Sequence, residues 1–103
     1  MGWKVVRDGQ PQFCRDNGVS GRWRTAPDPV SALTRKLSEE VGEFTEARYA
    51  AELYDLLDVT WRLLSLVDPG GDALRAHQAK TAGLGMFSDL TEWNPVPSDR
   101  ADT

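Results

Sequence analysis

The chain has 103 residues, 40% of them hydrophobic, which is enough for one small domain with a core and argues against global disorder. Its formal net charge of −4 gives no basic surface for nucleic acid and disfavours an anionic membrane. No apolar run approaches the ~18–20 residues of a membrane span, no signal peptide is visible, and one cysteine excludes an internal disulfide framework, so we expect a cytoplasmic location and no membrane partner.

The N-terminal stretch, residues 1–27, is predicted to be largely irregular. WKVV (3–6) has the composition of a short strand, and residues 10–17 are expected to form a helical turn or two. The sequence NGVSGRWRTAPDP (17–29) is rich in turn residues and predicts a loop.

Two long helices are predicted next. Asp28 as N-cap and Pro29 at the first helical position indicate a helix that runs to about residue 48. After a tight turn, a second helix is expected over residues 50–67, and the breaker cluster DPGGD (68–72) ends it.

The C-terminal part is predicted to hold a third helix over about residues 72–82, with Asp72 as its cap. MFSDLTEW (86–93) is expected to dock as an extended strip, and residues 94–103 to form a flexible tail. The prediction is therefore one all-α domain over residues 1–93, a bundle of about three to four helices.

Four carboxylates occur as two helical pairs with i, i+3 spacing: Glu40 with Glu43 in EEVGE (39–43), and Glu52 with Asp55 in ELYD (52–55). Residues three apart lie on one face of a helix, so two antiparallel helices can bring the pairs together. The result would be an all-oxygen pocket of high negative charge, which suits hard divalent cations such as Mg²⁺.

The ordinary alternative is a solvated acidic face, and the helical positions argue against it. Glu40 lies only about 60° from the centre of the apolar stripe of its helix, and Glu43 lies between that stripe and the solvated face. Glu52 lies inside an apolar arc of roughly 220° on the second helix, with Asp55 at its edge. A buried carboxylate without a partner is costly, and a metal ion or a cation removes that cost.

The width of that arc also bears on assembly. A helix that is apolar over more than half of its circumference must be surrounded on several sides. A partner subunit that completes a four-helix bundle is the simplest solution, which predicts a homodimer or homotetramer. The alternative is a monomer whose N-terminal segment and C-terminal strip cover the helix.

The same residues resemble a known family. EEVGE followed by ELYD is similar to the EExxE…ExxD signature of the all-α nucleoside triphosphate pyrophosphohydrolases, which include MazG-like enzymes and phosphoribosyl-ATP pyrophosphatases. KVVRDGQP (4–11) resembles the KLVRDxIP opening of a short MazG-like group, TRKLSEEVGEFTEA (34–47) its central helix, and AHQAKTAGLGMF (76–87) its closing segment. The resemblance covers roughly residues 4–87.

The resemblance implies a Mg²⁺-dependent enzyme, with Mn²⁺ as a possible substitute, that converts a nucleotide to a nucleoside monophosphate and pyrophosphate. It implies that four carboxylates are metal ligands: Glu40, Glu43, Glu52 and Asp55. Glu39, beside the cluster, is the candidate for orienting the attacking water.

Cations are also needed, because an acidic pocket alone repels a triphosphate. The resemblance indicates Lys80 first, then Lys4 and Arg7, and Lys36 lies one turn before Glu40. The alternative for each of the four is an ordinary surface cation.

Two other functions stay open: a non-catalytic bundle that binds nucleotide or protein, and a biosynthetic hydrolase of a phosphoribosyl nucleotide. Among the tryptophans, Trp23 in the predicted loop is the candidate for stacking on a base, whereas Trp61 at helical spacing favours a core position.

Overall fold

The computed structural model describes residues 2–96, and within them the secondary structure is entirely helical. The helices are α1 (Gln10–Asp16), α2 (Pro29–Ala47), α3 (Ala50–Val67) and α4 (Asp72–Leu84). The predicted all-α class is confirmed. The predicted strand at residues 3–6 is wrong, because this segment has no neighbouring strand to pair with and contacts α2 through side chains instead.

The chain divides into two compact units, residues 1–70 and 71–103. The N-terminal unit contains α1, α2 and α3, and the C-terminal unit contains α4. Among the described residues, no helix has the length and apolar composition that crossing a bilayer requires.

Helix α2 begins where the sequence predicts. Asp28 is the N-cap: its Oδ1 accepts a hydrogen bond from the backbone N–H of Ser31 at 3.1 Å, and its Oδ2 accepts one from the Ser31 hydroxyl at 2.7 Å. Pro29 occupies the first turn, where its missing N–H costs nothing. The first of these hydrogen bonds satisfies a backbone donor that a helix start leaves without a partner.

A two-residue turn joins α2 to α3 and makes them a helical hairpin. Arg48 ends α2 in the left-handed conformation with φ 59°, and its N–H donates to the Phe44 carbonyl at 2.7 Å. Tyr49 is extended and precedes α3 directly. So short a connection brings the two helices back against each other, and α2 and α3 are the helix pair that packs within the N-terminal unit.

The apolar core of the N-terminal unit is thin. Its buried hydrophobic residues are Cys14 of α1 and Ala32 and Leu33 of α2. Helix α3 contributes no buried residue, although it is the most apolar helix by sequence. The predicted core position of Trp61 is wrong, because its side chain is 75% exposed. Helix α2 packs against α3 and covers only part of its wide apolar arc.

The C-terminal unit begins with Gly71, which caps α4 at φ 77°. Asp72 is therefore the first helical residue of α4 rather than its cap, because the left-handed turn before the helix favours glycine. The expected docked strip at residues 86–93 is not seen, because its large apolar side chains are exposed. Most of the predicted tail, residues 97–103, lies outside the described residues.

The Asp28 cap gives a pH-dependent contribution to stability. The hydrogen bonds from Ser31 lower the pKa of Asp28 below its ordinary value of 3.8. A depressed folded-state pKa stabilises the fold above the unfolded pKa, and this contribution is lost as the pH falls through the lower folded value.

We expect Asp28→Ala to lower the melting temperature at pH 7 by a few degrees, since an alanine cannot cap the helix. Asp28→Asn is the matched control. It keeps a capping oxygen at pH 7 and removes the titrating group, so its melting temperature should fall less than that of the native chain between pH 5 and about 3. Equal melting temperatures for all three proteins at pH 7 would contradict the capping role.

Candidate metal centre

Glu40 of α2 is the buried acidic residue of the described chain, with 3% of its surface exposed. Its Oε1 lies 3.3 Å from Lys36 Nζ, one turn earlier on the same helix. Its Oε2 is buried and has no hydrogen-bond partner. A buried carboxylate oxygen without a partner destabilises the fold unless a hydrogen-bond donor, a water molecule or a cation lies beside it.

Two carboxylates of α3 approach Glu40. One oxygen each of Glu40, Glu52 and Asp55 lie within 4.8 Å of one another, and Glu52 and Asp55 are half-buried. The i, i+3 spacing places both α3 residues on the face that packs against α2. The structure therefore brings together three of the four predicted ligands across the α2–α3 interface.

The fourth predicted ligand, Glu43, is exposed on α2 and lies outside this group of three. Glu43 follows Glu40 by three residues, which rotates it about 60° around the helix and moves it one turn toward the hairpin end. Its role as a ligand stays a prediction.

Arg7 of the N-terminal segment reaches the same cluster. Its Nη2 donates to Asp55 Oδ1 at 2.6 Å and lies 2.9 Å from Asp58 Oδ2. The hydrogen bond to Asp55, followed by that to Asp58, raises the pKa of Arg7 above its ordinary value. Asp58 is exposed, and its ion pair also helps to fix Arg7.

Glu39 lies between two lysines. Lys4 Nζ donates to Glu39 Oε1 at 3.0 Å, and Lys36 Nζ lies 3.6 Å from the same oxygen. The hydrogen bond from Lys4 lowers the pKa of Glu39, with Lys36 acting in the same direction, and it raises the pKa of Lys4 in return. Lys36 therefore links Glu39 to Glu40, and Lys4 joins the N-terminal segment to α2.

The predicted cations thus fall into two groups. Lys4, Arg7 and Lys36 all contact acidic residues in or beside the cluster. Lys80 is exposed on α4, in the C-terminal unit, and its role as a phosphate ligand stays a prediction. The N-terminal pairings could not be read from helical spacing, because Lys4 and Arg7 precede α2 by more than twenty residues.

The donor chemistry of the three-carboxylate group fits a hard divalent cation. All three side chains offer oxygen and none offers nitrogen or sulfur, which favours Mg²⁺, Mn²⁺ or Ca²⁺ over Zn²⁺ or Cu²⁺. Lys36 and Arg7 contact Glu40 and Asp55, and no cationic side chain of the described residues forms an ion pair with Glu52. The unpartnered Glu40 Oε2 is a free acceptor that a cation in this group could use.

Comparisons with protein-family models, with curated proteins and with solved structures found no match for this chain.

A metal at this centre should stabilise the fold. We expect Mg²⁺ or Mn²⁺ to raise the melting temperature and EDTA to reverse the rise, since a ligand of the native state alone adds about 2.7 kcal/mol at one hundred times its Kd. Glu52→Gln should lose most of this response. The metal-free melting temperature of that variant should be equal or higher, because glutamine keeps the shape and relieves repulsion with no ion pair lost.

Glu46→Gln is the matched control for that measurement, because Glu46 is an exposed residue of α2 outside the cluster. It removes the same charge and should leave the metal response intact. Identical melting curves of the native chain in excess Mg²⁺ and in EDTA would contradict the metal centre.

Proposed function

We propose that this protein is a Mg²⁺-dependent nucleotide pyrophosphohydrolase, which cleaves the bond between the α- and β-phosphates of a nucleoside triphosphate. The observation that carries the proposal is the buried, unpartnered Glu40 Oε2 within a group of three carboxylates. A cation site of this composition, bordered by Lys4, Arg7 and Lys36, offers both the metal ligands and the cations that a polyphosphate needs.

The order of the motifs supports the same proposal. EEVGE and ELYD supply the three grouped carboxylates, and KVVRDGQP supplies Lys4 and Arg7. The resemblance to MazG-like pyrophosphohydrolases predicts that these segments act together. Their side chains contact each other in the N-terminal unit, as such a joint role requires.

In the proposed reaction, a bound Mg²⁺ would neutralise phosphate charge and make the α-phosphorus more open to attack. Glu40, Glu52 and Asp55 would hold the cation, and Lys4, Arg7 and Lys36 would bind phosphate oxygens. Water adds to the α-phosphorus, the P–O bond to the bridging oxygen breaks, and that oxygen leaves on pyrophosphate. The water gives up a proton to a carboxylate or to solvent, and a nucleoside monophosphate is released.

Glu39 is suited to orienting the attacking water, and the lysines tune how strongly it can accept a proton. With Lys4 and Lys36 beside it, the lowered pKa of Glu39 makes it a weak base. A substrate phosphate competes with Glu39 for both lysines. A phosphate that bound these lysines would remove the contacts that lower the pKa of Glu39.

The apolar surface of α3 supports a homo-oligomer. Six large hydrophobic side chains of α3 are exposed: Leu53, Tyr54, Leu57, Trp61, Leu64 and Val67. Contiguous apolar surface of this kind marks an interaction site. We propose that a second copy of the chain covers it and completes a four-helix bundle from two α2–α3 hairpins.

Light scattering should therefore give at least twice the mass of one chain at micromolar concentration. Trp61→Glu should shift the population toward monomer, because a charge at the centre of an apolar contact cannot be buried without a partner. Trp93→Glu, which changes an equally exposed tryptophan of the C-terminal unit, is the control and should leave the mass unchanged. A native chain that scatters as a monomer at this concentration would contradict the proposal.

A substrate panel tests the enzymatic function. Nucleoside triphosphates and phosphoribosyl nucleotides, assayed with Mg²⁺ or with EDTA, should give pyrophosphate only in the presence of metal. Glu52→Gln should lose most of the turnover, because the cation would lose a ligand, whereas Glu46→Gln should keep the native rate. Product analysis should find a nucleoside monophosphate in equal amount to pyrophosphate.

The outcomes separate the proposed function from its alternatives. Turnover restricted to a phosphoribosyl nucleotide would indicate the biosynthetic hydrolase. Metal-dependent stabilisation without turnover on any substrate would indicate the non-catalytic bundle and overturn the enzymatic proposal. Loss of stability without metal in Glu52→Gln, with the Mg²⁺ response intact, would make Glu52 a structural residue.

A further inference from the structure

A pocket of about 180 Å³ lies beside the carboxylate group, within the N-terminal unit. The N-terminal segment forms one wall with Trp3, Lys4 and Val5. Helix α2 forms the other wall, which consists of Ala32, Arg35, Lys36 and Glu39. None of Trp3, Val5, Ala32 and Arg35 belongs to the predicted site.

The pocket combines an aromatic ring with cations. Trp3 remains 44% exposed although two guanidinium groups lie over its ring, that of Arg24 at 4.2 Å and that of Arg22 at 5.7 Å from the centroid. These cation–π contacts hold the indole at the pocket and leave ring surface accessible. Val5 adds apolar surface beside Trp3, and Ala32 adds apolar surface on the α2 wall, so the pocket suits a flat ligand that stacks on Trp3 and contacts Ala32.

Arg35 supplies the hydrogen-bonding capacity of the pocket. It lines the pocket and forms no ion pair within 4.0 Å with any of the described residues, although its charge helps to lower the pKa of Asp28, so its N–H donors can bind a ligand. A guanidinium has five N–H donors in a plane and no acceptor, and therefore binds carbonyl oxygens and ring nitrogens of a heterocycle.

Lys36 and Glu39 connect this pocket to the metal centre. Both line the pocket, and Lys36 Nζ lies 3.3 Å from Glu40 Oε1 of the carboxylate group. A ligand with a flat heterocycle in the pocket would therefore have its anionic end at Lys4, Lys36 and the carboxylate group, with its connecting group between the two. A nucleotide has this order: base, sugar and phosphates.

We infer that the pocket between Trp3 and Arg35 binds the base of the nucleotide substrate, with the base stacked on the Trp3 indole. The inference rests on the proposed function, because the phosphates would lie at the metal centre. It also revises the expectation for Trp23, which does not line the pocket although it is exposed to a similar extent, 42%.

Binding measurements with analogues that resist hydrolysis test the inference independently of turnover. The probes are the α,β-methylene analogues of ATP, GTP, CTP and UTP, with inorganic tripolyphosphate as the ligand that lacks a base, all titrated calorimetrically in Mg²⁺. At least one analogue should bind the native chain more tightly than tripolyphosphate. Trp3→Ala should lower the affinity for that analogue by about 5- to 150-fold, which is the effect of losing one base–aromatic stack. The same substitution should leave the affinity for tripolyphosphate unchanged.

Trp3→Phe should keep most of the affinity, because it keeps an aromatic platform, and Trp23→Ala is the matched control that should keep all of it. Should Trp3→Ala not fold, the indole N–H resonance of Trp3 in the native chain gives a second measurement. It should shift on addition of the analogue and stay in place with tripolyphosphate.

Equal affinity of the native chain for tripolyphosphate and for every analogue would overturn the inference. An equal loss of analogue affinity in Trp3→Ala and in Trp23→Ala would also overturn it. Trp3-dependent analogue binding by a chain that releases no pyrophosphate would support the pocket and overturn only the enzymatic proposal. Turnover without Trp3-dependent binding would support the enzymatic proposal and overturn the pocket.

Discussion

The N-terminal unit is organised around a carboxylate that is buried between two helices without full compensation. Glu40 is almost fully buried, one of its oxygens contacts Lys36, and the other has no donor. Desolvating such a group costs several kcal/mol unless charge is supplied beside it. Arg7 is already engaged by Asp55 and Asp58, so the cations of the chain only partly offset three neighbouring carboxylates. This imbalance is what makes the site a candidate for a divalent cation.

The cations around the site connect distant parts of the unit. Lys4 bonds to Glu39 and Arg7 bonds to Asp55, so one short segment contacts both α2 and α3. Most of these side chains are well exposed, and such ion pairs add little to stability. These ion pairs hold the N-terminal segment against α2. There, Trp3 and Arg35 line the same pocket. A polyphosphate that bound Lys4 and Arg7 would change their contacts with Glu39 and Asp55.

The thin core has a parallel consequence. Helix α3 faces α2 on one side and leaves most of its large apolar side chains accessible, while no residue of α3 is buried. A small unit of this kind buries little apolar area, and association is a common way to increase it. The carboxylate pair of α3 lies on the α2-facing side, so a partner on the apolar side would leave the three-carboxylate group in place.

The sequence by itself determined the helices and most of the carboxylate group. Asp28-Pro29 and the DPGGD cluster predicted where α2 begins and α3 ends, because caps and breakers act locally. The i, i+3 spacing placed Glu52 and Asp55 on one face, since that geometry follows from the helical repeat alone.

Only the tertiary structure decided how deeply each carboxylate is buried and which cations reach it. Glu40 is more buried than Glu52, although Glu52 lies inside the wider apolar arc. The N-terminal segment lines a pocket with α2, whereas it contacts α3 through the exposed Arg7 side chain. The pairing of Lys4 with Glu39 and the pocket at Trp3 depend on where an irregular segment folds back onto α2. No repeat in the sequence encodes such long-range contacts, because they arise from packing between segments that are far apart in the chain.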